Sequence, residues 1–235
     1  WHTVGGRLRR VSRAGVVGAP AGVLEDYGCV AESFAALHQL TADGSWLRRA
    51  GDLLDVALAH FAGEDGRFYD TADDAEALVT RPADPTDNAT PAGLSAVAAA
   101  LVAYSALTGA RRYREAAEAA LATVAPAVAG HPRATGYSCA VGEALLAGPP
   151  EIAVALPPGA GDDAGLVATA RHAAPPGAVV VAGPADAPGV PLLAGRPPVD
   201  GAATAYVCRD FTCDAPVTDP AALRGRLTPA GAGRR

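Results

Sequence analysis

The sequence contains no lysine and no methionine, and its one asparagine is Asn88. Arginine carries all of the fixed positive charge, while alanine, glycine and proline dominate the remainder. So strong a bias, most simply that of a GC-rich coding sequence, tends to replace any dispensable asparagine. The retention of Asn88 therefore points to a chemical requirement at that position. Only four cysteines occur (Cys29, Cys139, Cys208 and Cys213), too few and too scattered for a disulfide scaffold. Cys208 and Cys213 have neither Cys-x-x-Cys spacing nor neighbouring histidines, so they read as structural or incidental thiols. The five histidines do not cluster, and no metal or other cofactor is expected. Phosphate-binding glycine loops of the Walker type and Gly-x-Ser-x-Gly elbows are also missing.

Further absences bound the environment. The basic opening stretch through Arg13 is not followed by an apolar segment and cleavage site, so no secretory signal is read. The longest apolar run, Leu94 to Leu107, falls short of the about 20 residues that span a bilayer. A cytoplasmic chain without a membrane partner is the expectation. The net charge of −6, with arginine pairs dispersed at 9–10, 48–49 and 111–112, argues against a nucleic-acid partner. With no initiator methionine ahead of Trp1, the chain reads as a fragment of a longer protein.

What is present is strongly patterned. A helical hairpin is predicted from Asp26 to Leu40 and Ser45 to Phe61. A second is predicted from Pro91 to Leu107 and Arg111 to about Val128. The second helix of each carries one apolar stripe, whereas the first is apolar nearly all round, which implies buried inner helices shielded by amphipathic outer ones. The hairpins align at a fixed offset: Leu40-Thr41 with Leu107-Thr108, Trp46 with Tyr113, and Ala50, Leu54 and Gly63 with Ala117, Leu121 and Gly130. Such a repeat suggests stacked supersecondary units. A third inner helix is expected over Tyr137 to Leu146. Beyond Gly148-Pro-Pro150 the pattern turns to strands at 151–156, 178–182 and 204–208. A helix with an acidic start at 162–173, a short helix at 220–226 and a frayed tail from Thr228 complete it. The predicted fold class is mainly α: a partial (α/α)6 toroid of helical hairpins over 1–147 and a small C-terminal α/β appendage over 148–235.

The residues able to carry chemistry precede the inner helices. Thr90-Pro91 reads as a helix start, with threonine as cap and proline in the first turn. Asp84, Asp87 and Asn88 sit in the loop feeding it, stiffened by Pro82 and Pro85. Asp87 and Asn88 serve either as turn and cap residues or as groups binding ligand hydroxyls. Leu24-Glu-Asp-Tyr-Gly28 holds the equivalent place before the first inner helix. There Glu25 and Asp26 are acid–base candidates and Tyr27 a stacking platform, or else Asp26 caps the helix and Tyr27 packs inside. Tyr69 and Asp70 add an aromatic and an acidic group, and Arg81 is a candidate carboxylate or phosphate clamp. Several carboxylates at one mouth suit glycoside chemistry, which sets an acid against a base or nucleophile.

Four segments together resemble a known family: Leu24 to Gly28, Phe68 to Leu78, Arg81 to Gly93, and Tyr206-Val-Cys-Arg-Asp-Phe-Thr-Cys-Asp-Ala-Pro216. They are similar to the thioredoxin-domain-containing, spermatogenesis-associated family. The resemblance implies a six-hairpin glycosidase or N-acylglucosamine 2-epimerase type barrel behind an N-terminal thioredoxin-like domain. This chain corresponds to the C-terminal part, without that domain as a covalent partner. It further implies a carbohydrate ligand and a glycosidase- or epimerase-like activity. The alternative is a non-catalytic scaffold serving the redox domain. The epimerase histidine constellation is not recognisable here.

Overall fold

The computed structural model describes residues 2–76, 79–159 and 165–228. Four short strands open it, as two antiparallel hairpins: β1 (Thr3–Val4) with β2 (Arg7–Leu8), and β3 (Ser12–Arg13) with β4 (Val16–Val17). Gly5-Gly6 and Ala14-Gly15 turn these hairpins with positive φ, the backbone sign that two-residue hairpin turns require. Only the basic character of this stretch was legible from composition. Its turn dipeptides were the available signal for the strands.

Five helices follow: α1 (Leu24–Thr41), α2 (Gly44–His60), α3 (Gly93–Thr108), α4 (Arg111–Gly130) and α5 (Gly136–Ala147). The expected hairpins are present, with one shift. The second inner helix begins at Gly93 rather than Pro91, and Thr90 does not cap it. Asp87, farther upstream, instead binds the Ala92 N–H and the Ser95 hydroxyl at this helix start. α3 is buried over most of its circumference and forms the centre of the helical part. α2 and α4 each bury a single stripe. α1 is less enclosed than its composition suggests: Ser33, Ala36 and Leu40 are exposed. The chain is thus mainly helical with small sheets.

The repeat extends to individual hydrogen bonds. α1 ends on Ala42 and α3 on Gly109, both left-handed, with φ of 51° and 74°. The Thr41 hydroxyl donates to the Leu37 carbonyl and the Thr108 hydroxyl to the Tyr104 carbonyl, each at 2.7 Å. The same two hydroxyls accept from the N–H groups of Asp43 and Ala110. At the next equivalent pair, His38 Nδ1 lies 3.0 Å from the Asp43 carbonyl, and the Ser105 hydroxyl donates to the Ala110 carbonyl. A carbonyl only accepts, so His38 carries its proton on Nδ1. Burial pushes its pKa down and keeps it neutral. His38 is therefore a helix-end fastener.

The α/β part comprises β5 (Glu151–Leu156), α6 (Leu166–Ala173), β6 (Val179–Pro184), β7 (Thr204–Arg209), β8 (Thr212–Cys213) and α7 (Pro220–Leu227). The expected acidic start of α6 at Asp162 and the tail beyond Thr228 lie outside the described residues. The sheet order is β6-β5-β7-β8, with β5 parallel to β6 and antiparallel to β7. The alternation of strand side chains divides this sheet between two cores. Ile152, Val154, Val180, Ala205 and Val207 face α6 and α7. Ala153, Val179 and Val181 pack with Ala35, Leu47, Ala106 and Leu107 of the helical part. Apolar packing thus continues across the expected boundary at 147–148. It explains why β5 is a nearly unbroken apolar run, as a strand covered on both faces should be.

One amide on the outer edge of β6 is met by a side chain. Gln39, on α1, accepts from the Val180 N–H at 2.9 Å. An uncovered strand edge leaves backbone donors without partners. Gln39→Ala is therefore expected to cost about 1–2 kcal/mol, the penalty of a part-buried amide left unsatisfied. A drop in urea midpoint at unchanged m-value measures it. An unchanged midpoint would mean that solvent already serves this amide.

Candidate functional site

The N-termini of α1, α3 and α5 are fastened together by the loops that precede them. The Leu24 N–H donates to the Asp70 carbonyl at 2.9 Å, and the Asp70 N–H to the Pro82 carbonyl at 2.8 Å. The Asp84 N–H reaches the Asp70 carboxylate at 3.1 Å. Asp87 holds the other two helices. Its Oδ1 accepts from the Ala92 N–H at 2.9 Å and from the Ser95 hydroxyl at 2.6 Å. Its Oδ2 accepts from the Tyr137 N–H in the first turn of α5, at 2.8 Å. A carboxylate suits this place, because the free N–H groups of a helix start carry partial positive charge.

The nine candidate residues divide by what their side chains already touch. Asp26 accepts from the Val23 N–H at 2.9 Å, in the first turn of α1. Arg10 approaches both acids of that turn, at 3.6 Å from Glu25 and 3.4 Å from Asp26. Glu25 has no other contact of this kind among the described residues. Tyr27 corrects the expectation of a stacking platform: it is 1% exposed, and a ring so enclosed offers no face to a ligand. Its hydroxyl accepts from the Leu8 N–H at 2.9 Å, and its ring meets Phe61 at 5.0 Å. Arg81 spends its donors on backbone, at the carbonyls of Thr71 and His60, and lies 4.3 Å over the Tyr69 ring. Asp84 accepts from the N–H and hydroxyl of Thr86. Asn88 is exposed; its backbone N–H donates to the Thr90 carbonyl, and its side chain makes no hydrogen bond among the described residues.

Asp70 is held apart from the other acids of this mouth by its surroundings. Burial pushes its carboxyl above the ordinary aspartate range, and the charges of Asp84 and Glu25 push the same way, against the Asp84 N–H bond. Asp84, by contrast, is held low by its Thr86 bonds. Four further groups belong to this mouth that were not singled out beforehand: Arg10, Cys29, Glu32 and Tyr137. The Tyr137 hydroxyl donates to Glu32 at 2.9 Å, which joins α5 to α1. Burial and the neighbouring Glu32 push the tyrosine pKa up. Burial likewise raises the Cys29 thiol, reinforced by Glu25, Glu32 and Asp26. The spacing Glu25-x-x-x-Cys29 with Glu32 places these groups on one helix face, and that periodicity was the usable signal.

Two grooves border the helical part. One of about 500 Å³ lies between the first hairpin and α1, and Arg10, Asp26, Phe34 and Asp52 line it. The other, of about 830 Å³, sits instead at the C-terminal end of α3. Its charges are largely paired with one another, as Arg111 with Glu115 and Arg114 with Glu118 and Asp210. His60, Asp73 and Asp74 bring ligand atoms within 4.8 Å of one another. That trio is open to solvent, and Arg7 already pairs with Asp74 at 2.9 Å. No helix of the described residues is long and apolar enough to cross a membrane.

No family model matches the sequence. Spermatogenesis-associated protein 20 of Rattus norvegicus is 26% identical over 236 residues, an alignment that takes in 94% of this chain. The chain spans 30% of that relative's length. Over nearly all of its own length, then, it is similar to one portion of a much larger protein.

Proposed function

We propose that the helical part is a segment of an (α/α)6 toroid that binds carbohydrate at the mouth in front of α1, α3 and α5, in a cytoplasmic protein. The observation that carries this reading is the Asp70 carboxyl, half-buried beside Glu25 and Asp84. Two neighbouring carboxyl groups at one mouth, one of them raised by burial, suit the acid and base of glycoside chemistry. Glu25 and Asp70 take those roles, with Asp26 holding the first turn of α1 beside them. Tyr69, backed by Arg81, offers the aromatic edge against which a sugar ring packs. Asn88 presents its free amide to hydroxyls, and Asp84 and Asp87 fix the loop that carries it.

The test is a panel of mono- and oligosaccharides titrated calorimetrically into the chain and its Asn88→Ala variant. The variant is expected to keep its stability within about 0.5 kcal/mol, as an exposed side chain without partners should, and to bind more weakly. A second reading rests on a different observation: Asp26, Arg81 and Asp87 are all occupied with holding helix ends and loops. A mouth built mainly for rigidity suits a scaffold that docks a thioredoxin-like domain. The absence of binding across the whole panel would put that reading ahead.

A further inference from the structure

The second feature of chemical interest lies away from this mouth, on the hairpin of β7 and β8. Cys208 and Cys213 face each other in register across the two strands and are joined by a disulfide, with Cα atoms 3.9 Å apart. This corrects the reading of both as thiols. Spacing arguments looked for Cys-x-x-Cys, whereas a two-residue hairpin turn brings residues five apart into direct opposition. That turn is Asp210-Phe211, with φ of 48° and 61°. Left-handed backbone is unfavourable for a phenylalanine. Here the buried Glu151 carboxylate holds it, accepting from the Phe211 N–H at 2.8 Å.

The group facing the disulfide is a buried cation. Arg196 is 7% exposed. Its Nη1 donates to the carbonyls of Leu192 and Ala194, at 2.9 and 3.2 Å. Its other edge, Nε and Nη2, is aimed at one atom, Cys213 Sγ, at 3.3 Å from each. No carboxylate lies within ion-pair distance of Arg196 among the described residues. A neutral disulfide sulfur is a weak acceptor, and the one acid that acts on this buried guanidinium, Glu151, does so from beyond ion-pair distance. A thiolate at the same position would answer the charge and accept both N–H groups. The crosslink closes only a short loop that the turn already closes, so constraint of the unfolded chain is a poor reason for it.

We propose that Cys208–Cys213 is a redox-active disulfide that exchanges with dithiols, with Cys213 as the reacting sulfur and Arg196 as the group that holds its thiolate. Access favours this assignment. Cys213 borders a groove of about 600 Å³, shared with Pro191, Gly195, Arg196, Tyr206 and Phe211, whereas Cys208 is 1% exposed. A thiolate of the incoming dithiol attacks Cys213 Sγ. The Cys208–Cys213 bond breaks, and Cys208 leaves with the electron pair and takes up a proton. The second sulfur of the dithiol, as thiolate, then attacks its partner sulfur in the mixed disulfide. The oxidised ring closes, and Cys213 departs as a thiolate against Arg196. Two electrons pass to the protein. Of the two protons the dithiol loses, one ends on Cys208 and one in solvent. The reverse sequence oxidises the pair with a disulfide.

Cys29 is an internal reference, since its surroundings push its thiol the opposite way. The experiment reduces the full chain with dithiothreitol and follows iodoacetamide alkylation of each cysteine by peptide mass spectrometry from pH 5 to 9. Cys213 in a Cys208→Ser variant is expected to titrate below the about 8.5 of a free thiol and to alkylate at pH 6 at least about tenfold faster than Cys29. Arg196→Gln in that background should remove most of the advantage. If that double variant does not fold, the Cys208→Ser profile alone decides. A Cys213 profile at or above the free-thiol value overturns the proposal, and so does a disulfide that millimolar dithiothreitol leaves intact in the folded chain.

Discussion

Replacing Gly28 by alanine is expected to destabilise the chain by about 2–3 kcal/mol, even though alanine is the better helix former. Gly28 lies where α1 crosses α3. A Cβ built there would stand 2.6 Å from the Val97 nitrogen and 2.7 Å from the Ala96 carbonyl carbon. Both are main-chain atoms of a helix that is itself buried nearly all round, so neither can move aside as a side-chain tip would. The two helices must separate instead, and overpacking of that kind costs about 1–3 kcal/mol, occasionally more. The gain from helix propensity, about 1 kcal/mol, offsets only part of a larger gross penalty. Gly28→Val should be worse. Urea unfolding with a constant m-value reads the difference. An alanine variant as stable as the parent would show that α1 and α3 are not held at this spacing. The mouth lies just N-terminal to the crossing, so the same substitution should also loosen any ligand bound there.

The second large effect concerns Asp87. Asp87→Ala removes three acceptor contacts at once, from Ala92, Ser95 and Tyr137. Hydrogen bonds to a charged acceptor contribute about 1.5–3 kcal/mol each, without adding fully when they share one group. A loss of about 3 kcal/mol is therefore expected, with faster hydrogen exchange at the Ala92 and Tyr137 amides. Asp87→Asn separates charge and geometry from bulk. The amide oxygen can still accept from Ala92 and Ser95, but the amide nitrogen then faces the Tyr137 N–H, donor against donor. About half of the loss should remain, concentrated at the start of α5. Equal stability of the asparagine variant and the parent would mean that α5 does not depend on this carboxylate.

These two residues also mark how far the sequence alone carries the fold. Helix positions were legible because apolar periodicity and the repeat carry them, and β5, β7 and α7 fell within a residue of their expected ends. The start of α3 was not, because Thr90-Pro91 has the local signature of a cap while the acceptor is Asp87. The choice between them is tertiary, fixed by the need to serve α5 as well. Gly28 was noticed as part of a motif, but its reason is a helix crossing that no local pattern reveals. Tyr27 reads alike as a platform or as core, and its enclosure in the fold decides. The disulfide escaped because the Asp210-Phe211 turn lacks the glycine or asparagine that announces a tight hairpin. The acidic character of the mouth was legible. Which of its acids is free to act was not, since that depends on bonds made from loops far apart in the chain.

The most direct test of the functional account is a paired measurement on Asp70→Asn at pH 7. Folding raises the Asp70 pKa, so the ionised carboxylate opposes folding once pH exceeds its ordinary value of about 3.9, and the penalty fades as pH falls back through that value. Asparagine still accepts from the Asp84 N–H and carries no charge toward Glu25. Folding stability equal to the parent's or higher is expected, together with at least about a tenfold loss of affinity for whichever saccharide the panel identifies, equivalent to about 1.4 kcal/mol. A variant that binds that saccharide as tightly as the parent would contradict it.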